Sequence, residues 1–184
     1  RAYGMRVIGP NCLGILNMNP AISMNASFAP IFPPHGKIAF GTQSGALGGA
    51  ILHYCTMIGL GLSYFVSIGN RADVSDNELL QYWAEDKDTD IILLYLESFG
   101  DPRRFARIAR ETAAKKPILV VKSERSSAGA RAAASHTGAM MSADIVSDAL
   151  FKQAGMIRCN TLEKLFNTAT FLANQPLPKG NKVA

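Results

Sequence analysis

Three short stretches of this 184-residue sequence hold side chains able to do chemistry. The first is Ala134-Ser135-His136-Thr137-Gly138-Ala139-Met140, inside a run from Ser123 to Ser142 built almost wholly of Ser, Ala and Gly. The imidazole of His136 can act as a nucleophile or base near neutral pH, and so few bulky anchors predict a mobile connection carrying it. On composition alone, a single histidine in such a loop is more often a solvated bystander. The second stretch, Thr42-Gln43-Ser44-Gly45-Ala46, joins a strand pattern to a helix pattern. With Ser44 as N-cap, the amides of Gly45, Ala46 and Leu47 are donors at the positive end of a helix dipole. The turn then holds either a phosphate-sized anion or only water. The third is Glu97, which closes the apolar run Ile91 to Leu96. A carboxylate there either faces solvent or accepts one imidazole N–H, leaving the other ring nitrogen free as a nucleophile.

The elements that must position these groups follow from the pattern. From Arg1 to Pro34 the sequence mixes short apolar pieces with Pro and Asn, which predicts an extended crossing segment with a short strand at Met5 to Ile8. Within it Gly9-Pro10-Asn11 reads as a tight turn and Cys12 as a small apolar residue. After Gly36 strands alternate with helices: strands at 37–42, 62–68, 90–97, 117–122 and 156–158, helices at 45–58, 76–84, 101–114, 143–154 and 161–174. Ser75 and Glu78 form a capping box, and Asp101-Pro102 opens a helix whose apolar face is Phe105, Ile108, Ala109 and Thr112. This alternation predicts an α/β fold, a doubly wound parallel five-stranded sheet of flavodoxin-like order 2-1-3-4-5, with ligands at the carboxyl ends of the strands.

A hydrophobic content of 48% with 18% charged residues supports one sizeable core rather than disorder. Apolar runs such as Ile91 to Leu96 are too short to cross a bilayer, so a soluble protein without membrane association is expected. The net charge of +5 suits a polyanionic ligand such as a nucleotide, coenzyme A or phosphate. The basic residues are not interleaved with aromatics, which argues against nucleic acid. Cys12, Cys55 and Cys159 lack ligand or disulfide spacing, so no metal is expected and a reducing cytoplasm fits. His35 and His53 read as structural.

The order of GPNCLGI, GKIAFGTQSGAL, FVSIGNRADVSDNELLQYW, IILLYLES, KSERSSAGARAAASHTGA and FKQAGMIR resembles, nearly end to end, the NDP-forming acyl-CoA synthetases. These are relatives of the succinyl-CoA synthetase α subunit. The resemblance implies that His136 carries a phosphoryl group, that Glu97 orients it, and that Ser44, Gly45 and Ala46 hold phosphate. It also implies that Asn11 and Cys12 sit near the acyl-thioester end of coenzyme A. Acyl-CoA and phosphate would give acyl phosphate and free CoA, and phosphate would pass through His136 to ADP or GDP. The nucleotide, with Mg, would bind an ATP-grasp domain elsewhere.

The chain is thus expected to be a middle portion of a longer ligase, inactive by itself and working within a homo- or hetero-oligomer. Residues 1–35 would lead from a CoA-binding Rossmann domain, residues 36–175 would form the succinyl-CoA synthetase-like domain, and residues 176–184 would start the next piece. Two rival readings stand beside it: a regulatory acyl-CoA-sensing region fused to a protein lysine acetyltransferase domain, and a flavodoxin-like structural module.

Overall fold

Helix starts in this protein are set by side chains that accept from first-turn amides. Ser75 Oγ accepts from Asn77 N while Glu78 Oε2 accepts from Ser75 N at 2.9 Å, completing the expected capping box. Asp101 Oδ1 accepts from Arg103 N and Arg104 N at 3.0 and 3.1 Å, with Pro102 following it, and Thr161 Oγ1 accepts from Lys164 N at 3.1 Å.

The computed structural model describes the backbone of residues 3–123, 137–176 and 180, and the side chains of these residues except 137–144. The described strands are β1 (Gly14–Asn17), β2 (Met24–Ser27), β3 (His35–Thr42), β4 (Leu62–Ser67), β5 (Ile91–Leu96), β6 (Ile118–Lys122) and β7 (Ile157–Arg158). The described helices are α1 (Gly45–Met57), α2 (Asp76–Glu85), α3 (Pro102–Ala113), α4 (Thr137–Gln153) and α5 (Leu162–Asn174).

All strands join one sheet in the order β2-β1-β4-β3-β5-β6-β7. The five strands β3 to β7 are parallel where they pair and run in the expected 2-1-3-4-5 order. The sheet nevertheless has seven strands rather than five, because the segment read as a mere crossing contributes β1 and β2. Antiparallel pairing of Ile15 with Val66 and Leu16 with Phe65 covers the edge of β4 that would otherwise be open. Met5 to Ile8 forms no strand. Its neighbourhood instead bonds to the loop after β4, with Val7 O accepting from Val74 N at 3.1 Å. Helix α4 starts at Thr137, six residues before the expected 143, since Ala and Met in this run are good helix formers.

Successive side chains of a strand face opposite sides of a sheet, so the core divides in two. Phe40, Phe65, Leu93 and Leu119 meet Ile51, Leu52 and Cys55 of α1 and Leu165, Phe166 and Ala169 of α5. Ala39, Val66, Ile92, Leu94 and Val120 meet Leu80 and Trp83 of α2, Phe105 and Ile108 of α3, and Phe151 of α4. The expected apolar face of α3, from Phe105 to Thr112, is buried. Among the described residues no helix is long and apolar enough to cross a membrane.

Candidate functional site

The sheet reverses its winding between β3 and β5, and in open α/β sheets ligands bind outside the carboxyl ends of strands at such a point. A cavity of about 540 Å³ lies there. It is lined by Asn11, Cys12, Ser44, Gly45, Ala46 and Glu97, which are all the expected site residues except His136. Gln43, Asn70 and Phe28 line it too, and none of the three was among the expected site residues. A cleft of about 580 Å³ beside His35 and Asp90 lies at the amino ends of the strands, away from these groups. The strand-end rule favours the first cavity.

Ser44 is the N-cap of α1, with φ −89° and ψ 116°. Its hydroxyl accepts from Leu47 N at 3.4 Å, so Leu47 is not the free donor expected of it. The amides of Gly45 and Ala46 have no partner among the described residues and open onto the cavity. Thr42 Oγ1 accepts from Ser44 N at 3.0 Å and donates to Ser44 O at 3.1 Å, fixing the turn that presents them.

Asn11 belongs to the turn at Gly9-Pro10-Asn11, whose Gly9–Pro10 peptide bond is cis. Gly9 O and Pro10 O accept from Ala72 N and Asn70 N, each at 2.9 Å, and Asn11 Nδ2 donates to Asn70 Oδ1 at 3.3 Å. That closeness requires Gly69, which has φ +52°: a Cβ there would stand 2.2 Å from Asn11 O and 2.4 Å from Pro10 O. Cys12 is half-buried with a free thiol, and Cys55 and Cys159 are buried. Burial pushes the Cys55 thiol up to about 12, so that sulfur stays protonated and inert.

Glu97 follows β5 directly. Its backbone is tied at both ends: Glu97 N donates to Gln43 Oε1 at 2.9 Å, and Glu97 O accepts from Lys122 Nζ at 2.8 Å. Its carboxylate is exposed and has no partner among the described residues. Below it lies Asp76, only 2% exposed. Burial raises the Asp76 pKa, opposed by the hydrogen bond from Gln43 and the charge of Arg71, whose Nη1 is 3.4 Å from Asp76 Oδ2. A polar residue at a strand end, just before the cap serine, was the one local sign of Gln43.

His136, the expected phosphoryl carrier, lies outside the described residues, as does the run 124–136 around it. The other two histidines, His35 at the start of β3 and His53 on α1, are exposed and distant from this cavity's lining. Among the described residues no group of His, Cys, Asp and Glu could hold a metal ion.

The chain is 43% identical over its whole length to an ADP-forming acetate–CoA ligase of Methanocaldococcus jannaschii, of which it spans 26%. It is 45% identical over 97% of its length to an ADP-forming 4-hydroxybutyrate–CoA ligase of Nitrosopumilus maritimus, again spanning 26%. Among solved structures, acetyl-coenzyme A synthetase 1 of Ca. Korarchaeum cryptofilum, in complex with phosphate and ADP, superposes with a TM-score of 0.83. That match has 39% identity and covers 97% of this chain and 39% of the other. The chain thus spans between about a quarter and two-fifths of these relatives. A family model described as the succinyl-CoA ligase-like flavodoxin domain matches residues 35–172, which take in every strand from β3 to β7 and the turn at Ser44. With that span matched and the sheet order as it stands, this chain belongs to the succinyl-CoA ligase-like flavodoxin domain family.

Proposed function

We propose that the chain is the phosphoryl-carrying domain of an ADP-forming acyl-CoA synthetase, a ligase. One observation carries the reading: a single cavity at the switch point collects free amides at a helix N-terminus, an exposed carboxylate and the Asn11-Cys12 turn. Phosphate held by the Ser44 turn and the amides of Gly45 and Ala46 attacks the acyl-CoA carbonyl. The C–S bond breaks, and acyl phosphate and CoA form, with Asn11 and Cys12 beside the thioester. His136, its imidazole oriented by Glu97, then attacks phosphorus through its unprotonated nitrogen, and the carboxylate leaves. Phosphohistidine passes the group to ADP, giving ATP. Positioning and charge stabilisation dominate such transfers, so amide donors with a helix dipole behind them are fitting equipment.

In this reading residues 36–175 form the carrier domain, residues 1–35 arrive from a CoA-binding Rossmann domain, and residues 176–184 lead onward. The nucleotide and Mg²⁺ bind an ATP-grasp domain or subunit, within a homo- or hetero-oligomer. Three free thiols suit a reducing cytoplasm. The relatives' names are those of ligases and synthetases, which favours this reading over an acetyltransferase-linked sensor.

The test is phosphoryl labelling of the full-length protein from radiolabelled ATP. An acid-labile, base-stable adduct is expected, absent in His136→Asn and slower to form in Glu97→Gln at unchanged stability. An adduct persisting in His136→Asn overturns the assignment of the carrier, and an unchanged rate in Glu97→Gln removes Glu97 from the mechanism.

A further inference from the structure

Gln43 is the first residue after β3 and is 7% exposed. Burying a carboxamide is costly unless its donors and acceptor are met, and here all are. Oε1 accepts from Glu97 N at 2.9 Å and from Ser98 N at 3.0 Å. Nε2 donates to Asp76 Oδ2 at 2.7 Å and to Ser98 O at 2.8 Å. The amide can sit only one way round. Rotated by half a turn, it would set its NH₂ against two N–H donors and its oxygen against a carboxylate and a carbonyl. Asp76 therefore fixes the direction of Gln43, and Gln43 fixes the backbone on which the Glu97 carboxylate stands. Arg71 closes the frame by donating to Ser98 O at 3.0 Å and Ser98 Oγ at 2.7 Å. The loops after β3, β4 and β5 meet in this one network, yet among the described residues only Gln43 both bonds the Glu97 amide and lines the cavity.

We propose that Gln43, held by buried Asp76, is the positioning residue that fixes where the Glu97 carboxylate stands in the cavity at the switch point. This rests on the function proposed above. Gln43 does not touch the reacting atoms; it acts through the Glu97 main chain. A carboxyl group has the same shape as the carboxamide, and its oxygen can still accept the two amides. Its second oxygen can replace one of the two donations of Nε2, and only while protonated. Once both it and Asp76 are ionised, no proton lies between the two carboxylates or between it and the Ser98 carbonyl.

The experiment is the pH profile of acyl-CoA-dependent ATP formation by the full-length protein carrying Gln43→Glu or Gln43→Ala. For Gln43→Glu, kcat at pH 8 should fall by about 10- to 100-fold, the loss expected when a catalytic group is misplaced by roughly an ångström. The deficit should shrink steadily as pH falls towards 6, while KM for acyl-CoA stays within about threefold. Gln43→Ala should lose kcat similarly at every pH, and should speed hydrogen exchange at the Glu97 and Ser98 amides. A Gln43→Glu profile parallel to wild type, or a loss confined to KM, overturns the proposal. If wild type forms no adduct on His136, the function proposed above fails on its own. Gln43 is then judged by exchange: unchanged protection at Glu97 and Ser98 in Gln43→Ala overturns its positioning role.

Discussion

Replacing Gly69 by alanine tests whether the cavity wall is held by the backbone contact described above. Alanine at φ +52° pays the left-handed penalty, about 1 kcal/mol. The larger effect is steric. Its Cβ would lie 2.2 Å from Asn11 O and 2.4 Å from Pro10 O, so the turn at Pro10-Asn11 must retreat by roughly an ångström to reach ordinary carbon–oxygen separation. That retreat breaks the bonds from Asn70 N to Pro10 O and from Ala72 N to Gly9 O, both 2.9 Å, each contributing about 1 kcal/mol net. Together the substitution should destabilise the domain by about 3 kcal/mol, or about 6–12 °C in Tm for a domain of this size. Trp83 is the sole tryptophan and is 1% exposed, so its fluorescence in urea reports core unfolding directly. Under the proposed function, acyl-CoA binding by the full-length protein should weaken in parallel, since Asn11 and Cys12 move with the turn. A Gly69→Ala variant within about 0.5 kcal/mol of wild type, the range of ordinary surface changes, would show that the turn does not depend on this approach.

Neighbouring glycines of α1 should respond in opposite directions in the same urea assay. A Cβ at Gly49 meets nothing within 4 Å, so Gly49→Ala should stabilise by about 0.5–1 kcal/mol, the cost of glycine in a helix interior; any loss would refute this. A Cβ at Gly48 would stand 2.9 Å from both Leu13 Cδ2 and Phe65 Cζ, so Gly48→Ala should destabilise by about 1–3 kcal/mol through overpacking. For Asp76 the folded-state pKa is raised, chiefly by burial, so the native state holds its proton to higher pH than the unfolded chain. The stability this adds is full below the unfolded pKa and is lost as pH rises through the folded one. Asp76→Asn, which keeps an acceptor for Gln43, removes that loss, so its stability relative to wild type should rise with pH through and above the carboxylate range. A pH-independent difference would mean that Asp76 does not titrate differently on folding.

The parts of this fold that the sequence announces are those where one side chain speaks to its own neighbourhood. Ser75 with Glu78, Asp101 with Pro102, and the alternation through Ile91 to Leu96 each act within a few residues, and each sits where the pattern puts it. What stayed hidden depends on distant partners. β1 (Gly-Ile-Leu-Asn) and β2 (Met-Asn-Ala-Ser) are four residues each and joined through a turn in which the non-glycine Ser23 has φ +46°. Nothing local marks them as strands, because their ladder is completed by β4, about fifty residues later. Met5 to Ile8 shows the converse: β-forming residues whose nearest backbone partner is a loop rather than a sheet edge.

The site divides along the same line. Ser44 and Gly45 were legible because capping is local, while the Gln43 network joins residues 33 to 55 positions apart. A polar residue between an apolar strand and its cap serine has little local reason to be buried. Its partners explain it: the backbone of Glu97 and Ser98 has left the β5 ladder there and needs an acceptor, and Asp76 at the start of α2 needs a donor. A winding reversal in a parallel sheet always leaves a strand end of this kind, where backbone groups lose sheet partners on the side that opens. Filling that gap with a side chain rather than water makes the cavity floor rigid. It also couples the floor to the one exposed carboxylate that the proposed chemistry requires.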